Sequence, residues 1–269
     1  MFEIPIDQAS GLREIFEPPA GLAVVPMTAA KSGMGFCSLV TNIAAGYARL
    51  GQRVIVIDAG IAGTAAALGL RTPNDLAQML SGECEFEDVV VQAPDGLFVL
   101  KAHKGIPQFV QMSGDPSDLF LGFRRLEKPF DVAILAGPLS EVAAMTREQD
   151  DLVLVTNADS GALTATYAEI KRAHTDHGHR AFRVLINRAN DQHEATVAFK
   201  RLAVTARRFL GVGIEYGGAV FRDAAFASAE RGQCSIFGVN TKSSAAAQMS
   251  QLVKSMQAWR LGRYVLNEN

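Results

Sequence analysis

Short apolar runs rich in β-branched residues recur along the chain. They are LAVVPM at 22–27, RVIVID at 53–58, DVAILAG at 131–137, DLVLVT at 151–156 and RVLIN at 183–187. Continuous apolar runs of this length are typical of parallel strands that are covered on both faces of a sheet. Further strands are predicted within 96–103 and 213–221.

Amphipathic segments separate several of these strands. In the segment 38–51 the apolar residues recur on one helical face, and Gly51 is expected to end the helix. The segments 162–174 and 195–210 have the same helical character. Because strands alternate with helices, the pattern predicts right-handed crossovers and an α/β fold, with a doubly wound, mostly parallel sheet and helices on both faces.

The two ends of the chain differ from this alternation. Pro18 and Pro19 mark the clearest boundary, so we divide the chain into an N-terminal element, residues 1–17, and a single α/β domain, residues 18–269. Near the C-terminus an amphipathic stretch carries an apolar stripe made of Met249, Leu252, Val253, Met256 and Trp259. We expect the stripe to cover the core and the extreme tail to be available for membrane or partner contact.

Composition narrows the class of protein. The 269 residues are 48% hydrophobic and 20% charged, and the net charge of −2 gives no electrostatic reason to expect direct nucleic-acid binding. The cysteines, Cys37, Cys84 and Cys234, are too widely spaced to suggest a disulfide framework or a ligand pair. The chain shows neither a signal peptide nor an apolar run near the roughly 18 residues of a membrane span. A cytoplasmic protein is expected, and a peripheral position at the inner membrane or cell pole stays compatible with this.

A strand, a glycine-containing loop and a helix come together in VVPMTAAKSGMGFCSLVTN. Gly33 and Gly35 would let the backbone approach a phosphate, and a helix N-terminus offers N–H donors. In a working phosphate loop a lysine reaches the terminal phosphates and a Ser or Thr hydroxyl binds Mg²⁺. Here Phe36 and Cys37 stand at those two positions, although Lys31 lies just inside the loop.

The order lysine–small–Gly–x–Gly resembles the deviant Walker loop of the MinD/ParA family of ATPases. The resemblance continues in the family's order through NIAAGYARLGQRVIVIDAG, PFDVAILAGPLSEV, DDLVLVTNADSGALTATYAEIK, VLINRAND and RRFLGVGIEYGGAVFRDAAFASAERGQ. It implies a P-loop NTPase fold. It also implies nucleotide contacts, at least as remnants, at Lys31, Gly33, Gly35, Ser38 and Asp58, with Asn187 and Arg188 near the base.

Departures from the family pattern gather at the chemistry. Besides Phe36 and Cys37, Gly60 replaces the switch aspartate that positions the attacking water, and Ala136 replaces the aspartate that supports Mg²⁺. Phosphoryl transfer depends on charge neutralisation by Lys and Mg²⁺, and a thiol is a poor ligand for a hard cation. We therefore expect a pseudo-ATPase that binds no cofactor, and we do not expect it to bind Mg²⁺. The loop would then be only a tight turn.

Two alternatives remain open at this loop. Weak metal-free binding of ATP or ADP through Lys31, the glycines and the helix N-terminus is one of them. The second alternative is a homodimer, because in the family the corresponding lysine acts across a dimer. In such a dimer, Lys31 of a second subunit would complete an active Mg²⁺-dependent ATPase.

The N-terminal element carries a second motif. Apolar residues recur there at helical spacing, and Asp7 could cap the helix. The segment matches the DQAxxLR motif of the flagellar-number branch of the family, FlhG (also called FleN or YlxH), through Asp7, Gln8, Ala9, Leu12 and Arg13. The resemblance implies that these residues bind the GTPase FlhF and stimulate it. A helix packed on the domain's own surface is the alternative.

The expected function follows from this resemblance. It is regulation of flagellar number or placement by protein contact, with FlhF and with a flagellar transcriptional activator or flagellar switch proteins as partners. An adaptor of another surface machine, such as cellulose secretion or a pilus, is the remaining alternative. His174, His177 and His179 have a spacing that could suit a metal, but a polar helix end is the simpler interpretation.

Overall fold

The predicted strands form one sheet in the computed structural model, which describes residues 21–60, 63–112 and 114–265. The strands are β1 Leu22–Ala29, β2 Val54–Asp58, β3 Val90–Gln92, β4 Phe98–Lys101, β5 Val132–Ala136, β6 Leu152–Thr156, β7 Phe182–Ala189, β8 Glu215–Phe221 and β9 Gly262–Tyr264. Their order is β3-β4-β2-β5-β1-β6-β7-β8, with β9 also paired to β1. The pairings β3–β4 and β1–β9 are antiparallel and the others are parallel.

Helices cover both faces of this sheet. They are α1 Phe36–Arg49, α2 Thr64–Ala67, α3 Leu76–Leu80, α4 Phe86–Val89, α5 Gly105–Gln111, α6 Pro116–Arg124, α7 Leu139–Ala144, α8 Ser160–His177, α9 Gln192–Leu210, α10 Ala224–Arg231, α11 Ile236–Val239 and α12 Ser244–Met256. Buried residues of α1, α11 and α12 pack in one core layer, and those of α6 to α9 pack in the other. The doubly wound α/β prediction is confirmed.

Alternation along the strands explains the continuous apolar runs. In β1, Leu22 and Val24 face the layer of α6 to α9, while Ala23, Val25 and Met27 face the layer of α1 and α12. Successive side chains of a strand point to opposite faces, so a strand between two helical layers must be apolar at every position. The same alternation holds in β2 and β5.

The C-terminal stripe is part of the core, as predicted. Met249, Leu252, Val253 and Met256 of α12 are buried. However, the helix ends at Met256, and Gly262–Tyr264 form β9 against β1. Gly262–Tyr264 therefore belong to the sheet, and the expectation that the extreme tail is available for contacts stays a prediction for the residues after Tyr264. None of the helices in the described ranges is long and apolar enough to cross a bilayer.

Candidate nucleotide site

The glycine loop lies at the carboxyl end of the central strand β1 and leads directly into α1. Gly35 is the N-cap of α1 and has a left-handed backbone with φ of 73°. A Cβ on Gly35 would lie 2.7 Å from Asn187 Nδ2 and 2.9 Å from Arg188 Nε. Gly33 is also left-handed, with φ of 83°, but a Cβ there would meet nothing within 4 Å. Gly35 is therefore required both by its backbone and by close packing.

The end of β7 clamps this loop from the side. Asn187 Nδ2 donates a 2.7 Å hydrogen bond to the carbonyl oxygen of Met34, and Arg188 Nη1 donates one of 3.0 Å to the carbonyl oxygen of Gly33. Asn187 and Met34 are both buried. The polar side chains that resemble base-contacting residues thus also fix the shape of the loop.

The altered positions come together in one cavity. Phe36, Cys37, Gly60 and Ala136 all line a space of about 590 Å³ next to the loop. The same cavity is lined by Lys31, Gly33, Gly35, Ser38, Asp58 and Arg188. Asn187 instead lines an adjoining cavity of about 340 Å³, which shares Gly35, Ser38 and Arg188 with the first.

Asp58 is engaged by backbone N–H groups of its own chain. Its Oδ1 accepts a 3.2 Å hydrogen bond from Gly60 N, and its Oδ2 accepts one of 3.3 Å from Ala65 N in the first turn of α2. Gly63 leaves no room for a Cβ beside this carboxylate. Burial raises the pKa of Asp58, and these backbone donors oppose that rise. Asp58 therefore holds the start of α2.

The side chains at the four altered positions offer neither a cation for a phosphate group nor an oxygen ligand for a metal ion. Phe36 packs against the core layer of α1 and α12. Burial raises the pKa of the Cys37 thiol, and the nearby Asp58 raises it further, so the neutral form is favoured. Gly60 and Ala136 contribute no side-chain oxygen. These residues do not fit a Mg²⁺ ion, which requires hard oxygen ligands.

The basic residues of the larger cavity, within the described ranges, are Lys31 and Arg188. Arg188 Nη2 lies 3.4 Å from Glu230 Oε1, so part of its charge is neutralised by a neighbour. Lys31 is exposed, and its Nζ lies close to Gly161 in the first turn of α8. A Cβ built on Gly161 would be 3.6 Å from this Nζ. Glu230 was not predicted from the sequence, because nothing near it in the chain distinguishes it from any surface glutamate.

The other sequence candidates within the described ranges, the histidines near the end of α8, do not line this cavity. The ring of His179 is buried, with its Nε2 3.4 Å from Thr146 Oγ1, while His174 Nδ1 lies 2.9 Å from the His179 carbonyl oxygen. No group of three or more His, Cys, Asp or Glu residues in the described part of the chain could hold a metal ion. Asp7, Gln8, Ala9, Leu12 and Arg13 lie outside the described residues.

Comparison with known proteins agrees with the geometry of the loop and the sheet. No family model matches the sequence. The antiactivator FleN of Pseudomonas aeruginosa is 30% identical over 244 residues, which cover 88% of this chain and 87% of FleN. The flagellum site-determining protein YlxH of Helicobacter pylori is 25% identical over 165 residues, which cover 59% of this chain and 56% of YlxH.

Solved structures share the fold at lower identity. The cell-division protein MinD of Aquifex aeolicus superposes with a TM-score of 0.67 at 17% identity, covering 88% of this chain and 96% of MinD. MinD of Pyrococcus horikoshii, solved with Mg-ADP, has a TM-score of 0.64 at 16% identity and covers 88% of this chain and 96% of that protein. The extended match to FleN, together with this fold and the glycine loop at its centre, shows that the chain belongs to the FlhG (FleN/YlxH) branch of the MinD/ParA family.

Proposed function

We propose that this chain is an FlhG-like regulator of flagellar number or placement that acts by protein contact and whose α/β body is a pseudo-ATPase. The names of two relatives, an antiactivator and a flagellum site-determining protein, support the flagellar role. The observation that carries the pseudo-ATPase reading is the convergence of Phe36, Cys37, Gly60 and Ala136 on one cavity. Changes scattered over the fold would not have this meaning.

The physical reason is that the four altered positions correspond to the phosphate-binding lysine, the Mg²⁺-binding hydroxyl and two switch aspartates of the family pattern. A phenylalanine cannot neutralise phosphate charge, and losing one charge-assisted contact costs about 1.5–3 kcal/mol. The Mg²⁺ shell has lost its ligands, and Asp58 already accepts backbone hydrogen bonds. Gly60 cannot position an attacking water. Weak, metal-free nucleotide binding stays compatible with this proposal, whereas turnover does not.

Calorimetry with ATP tests this part. We expect the wild type to bind ATP weakly, with no dependence on Mg²⁺, and the double variant Phe36→Lys, Cys37→Thr to bind at least about tenfold more tightly. Purified wild-type protein that hydrolyses ATP with Mg²⁺, and loses this activity in Lys31→Ala but not in the surface control Lys242→Ala, would instead establish the active, dimer-completed ATPase.

The proposed partner contact lies in the N-terminal element, residues 1–17, as a unit separate from the body, residues 18–269. Its Gln8, Leu12 and Arg13 match the motif through which the branch acts on FlhF. We propose that the protein acts in the cytoplasm. A flagellar transcriptional activator or switch protein would be a second partner, held by the α/β body.

The GTPase rate of FlhF tests the N-terminal contact separately from the nucleotide site. Full-length protein should stimulate the rate, and Leu12→Glu or Arg13→Ala should abolish the stimulation, while the neighbouring Ser10→Ala should not. Absence of any stimulation by the full-length protein would favour the adaptor of another surface machine, and equal stimulation by all of these variants would refute the motif as the contact. Neither result depends on whether ATP binds.

A further inference from the structure

A further cavity lies at the end of the sheet opposite the glycine loop. Its volume is about 380 Å³, and its walls include Arg53, Phe86, Phe98 and Phe130. Arg53 stands immediately before β2, Phe98 begins β4 and Phe130 lies shortly before β5, so the cavity is found where these parallel strands begin. We call it the amino-end cavity. Arg53 and Asp58 lie about 17 Å apart along β2, and among the described residues this cavity shares no lining residue with the nucleotide site.

Three phenylalanine rings form the apolar wall of the amino-end cavity. The rings of Phe98 and Phe130 meet edge to face with their centres 5.3 Å apart, and the ring centre of Phe86 lies 6.5 Å from that of Phe130. Phe130 is fully buried, whereas Phe86 and Phe98 are half-buried and leave part of their surface open. Because aromatic rings pack on one another at these distances, the wall suits a ligand with a flat apolar group.

A guanidinium group lies against the same rings. The Cζ atom of Arg53 is 4.7 Å from the ring centre of Phe98 and 4.7 Å from that of Phe130. The backbone of Arg53 is held by Asp131, because Arg53 N donates a 2.8 Å hydrogen bond to Asp131 Oδ2 and Asp131 N donates one of 2.9 Å to the Arg53 carbonyl oxygen. These contacts fix the guanidinium beside the cavity without using its N–H groups.

The protein does not neutralise the charge of Arg53. Within the described ranges no ion pair includes Arg53, although Glu87 and Glu127 line the same cavity. The Nε atom of Arg53 is buried, and no described residue accepts a hydrogen bond from it. Contact with aromatic rings explains where the guanidinium lies, but it supplies no acceptor for the N–H donors, and buried donors normally have one. A carboxylate is the acceptor that matches the guanidinium fork best.

Exposed charged side chains also line the amino-end cavity. Lys128 adds a second cation, and Glu87 and Glu127 add two carboxylates. These glutamates would repel a ligand that carries only a carboxylate, whereas they would attract a ligand that also carries an ammonium group. We propose that the cavity binds a free aromatic amino acid. Its carboxylate accepts hydrogen bonds from Arg53, its ammonium group faces Glu87 or Glu127, and its ring lies on the phenylalanine wall.

The size of the cavity and its surroundings favour a small molecule over a protein segment. Pockets for small ligands have volumes of about 300–1,000 Å³, and this cavity lies at the lower end of that range. A protein interface is broader and buries apolar side chains around its central pocket. Within the described ranges, none of the strongly exposed large apolar side chains lines the amino-end cavity. No exposed apolar surface therefore continues from it.

A ligand series with the full-length protein tests the proposal. We expect saturation-transfer NMR to show saturable binding of L-phenylalanine with a Kd of about 1 mM or below, as is usual for a ligand of about 12 heavy atoms. 2-Phenylethylamine lacks the carboxylate and should bind about tenfold more weakly or worse, while 3-phenylpropionate lacks the ammonium group and should bind about threefold more weakly. L-Alanine keeps both charges but lacks the ring, and it should show no binding.

Variants of the lining residues test the same contacts from the side of the protein. Arg53→Gln removes the guanidinium and should weaken L-phenylalanine binding about tenfold or more. Arg49→Gln is the matched control, because Arg49 lies 5.2 Å from the ring centre of Phe237 but does not line the cavity. The double variant Glu87→Gln with Glu127→Gln changes two exposed residues. It should bind L-phenylalanine about threefold more weakly and 3-phenylpropionate more tightly, and it keeps the test decisive if Arg53→Gln does not fold.

Three results would overturn the proposal. The first is wild-type protein that does not bind L-phenylalanine at concentrations up to about 10 mM, which is also the result expected if a protein partner occupies the cavity instead. The second is equal binding by Arg53→Gln and Arg49→Gln. The third is 2-phenylethylamine that binds as tightly as L-phenylalanine, since the guanidinium would then play no part. Neither ATP nor FlhF enters these measurements, so the outcome is independent of the proposed function.

Discussion

Replacing Gly35 by alanine tests whether the end of β7 clamps the glycine loop, and Gly33→Ala is its matched control. Both residues have left-handed backbones, with φ of 73° and 83°. An L-residue in that conformation costs about 1–2 kcal/mol at either position. The gain from a less flexible unfolded chain is also the same for both substitutions, so it cancels in the comparison.

The two positions differ in what the added methyl group meets. At Gly35 it would lie 2.7 Å from Asn187 Nδ2, which donates to Met34, whereas at Gly33 it meets nothing within 4 Å. Moving the amide away leaves a buried carbonyl unsatisfied, at about 1–3 kcal/mol. We therefore expect Gly35→Ala to lower the free energy of unfolding by about 2–5 kcal/mol and Gly33→Ala by about 1–2 kcal/mol.

Urea unfolding followed by circular dichroism measures both values, and a double-mutant cycle assigns the difference. In an Asn187→Ala background the amide is already lost, so the additional cost of Gly35→Ala should shrink towards that of Gly33→Ala, with only the contact to the Arg188 guanidinium left. Equal costs for the two glycine variants in the wild-type background would refute the clamp, and the loop would then be an ordinary turn fixed by backbone conformation alone.

Two further predictions concern buried charge. Burial lowers the pKa of His179 below the usual value of about 6.5, so below that pH the unfolded chain binds a proton that the folded chain does not, and the melting temperature should fall as pH falls from 7 to 5. His179→Gln should flatten this dependence and the exposed His193→Gln should not; unchanged slopes in both would contradict the assignment. Arg183 donates hydrogen bonds of 2.8 and 3.0 Å to the buried Asp151, so Arg183→Ala should cost about 3–5 kcal/mol in urea unfolding. Arg172→Ala, which breaks an exposed ion pair, should cost no more than about 1 kcal/mol, and similar losses in the two variants would refute the distinction.

Much of the fold could be predicted from the sequence because helices cover both faces of the sheet. A strand between two helical layers is apolar at every position, so its signal is local and strong, as in LAVVPM. The strand β9 gives no such signal. Gly262–Tyr264 is only three residues long, and it is a strand because β1 offers it an unpaired edge at that end. The antiparallel strand β3 was also not predicted, because it too is only three residues long.

In the candidate site, too, the sequence determined some features and the tertiary structure decided others. The sequence by itself determined which residues are altered, because Phe36 and Cys37 follow the glycines directly and the family order fixes Gly60 and Ala136. Only the tertiary structure decided that these residues share one cavity, because strands far apart in the chain end at the same sheet edge.

The roles of the retained polar groups were also decided by tertiary contacts. Asp58 holds the start of α2, and Asn187 and Arg188 hold a loop more than 150 residues away in the chain. Glu230 joins the site through its ion pair with Arg188. No sequence periodicity encodes such pairings, since hydrogen bonds between side chains and a distant backbone depend on where the packed elements bring them. The sequence therefore specified the scaffold and its losses, and the packing of β1, β5 and β7 specified what the remaining residues do.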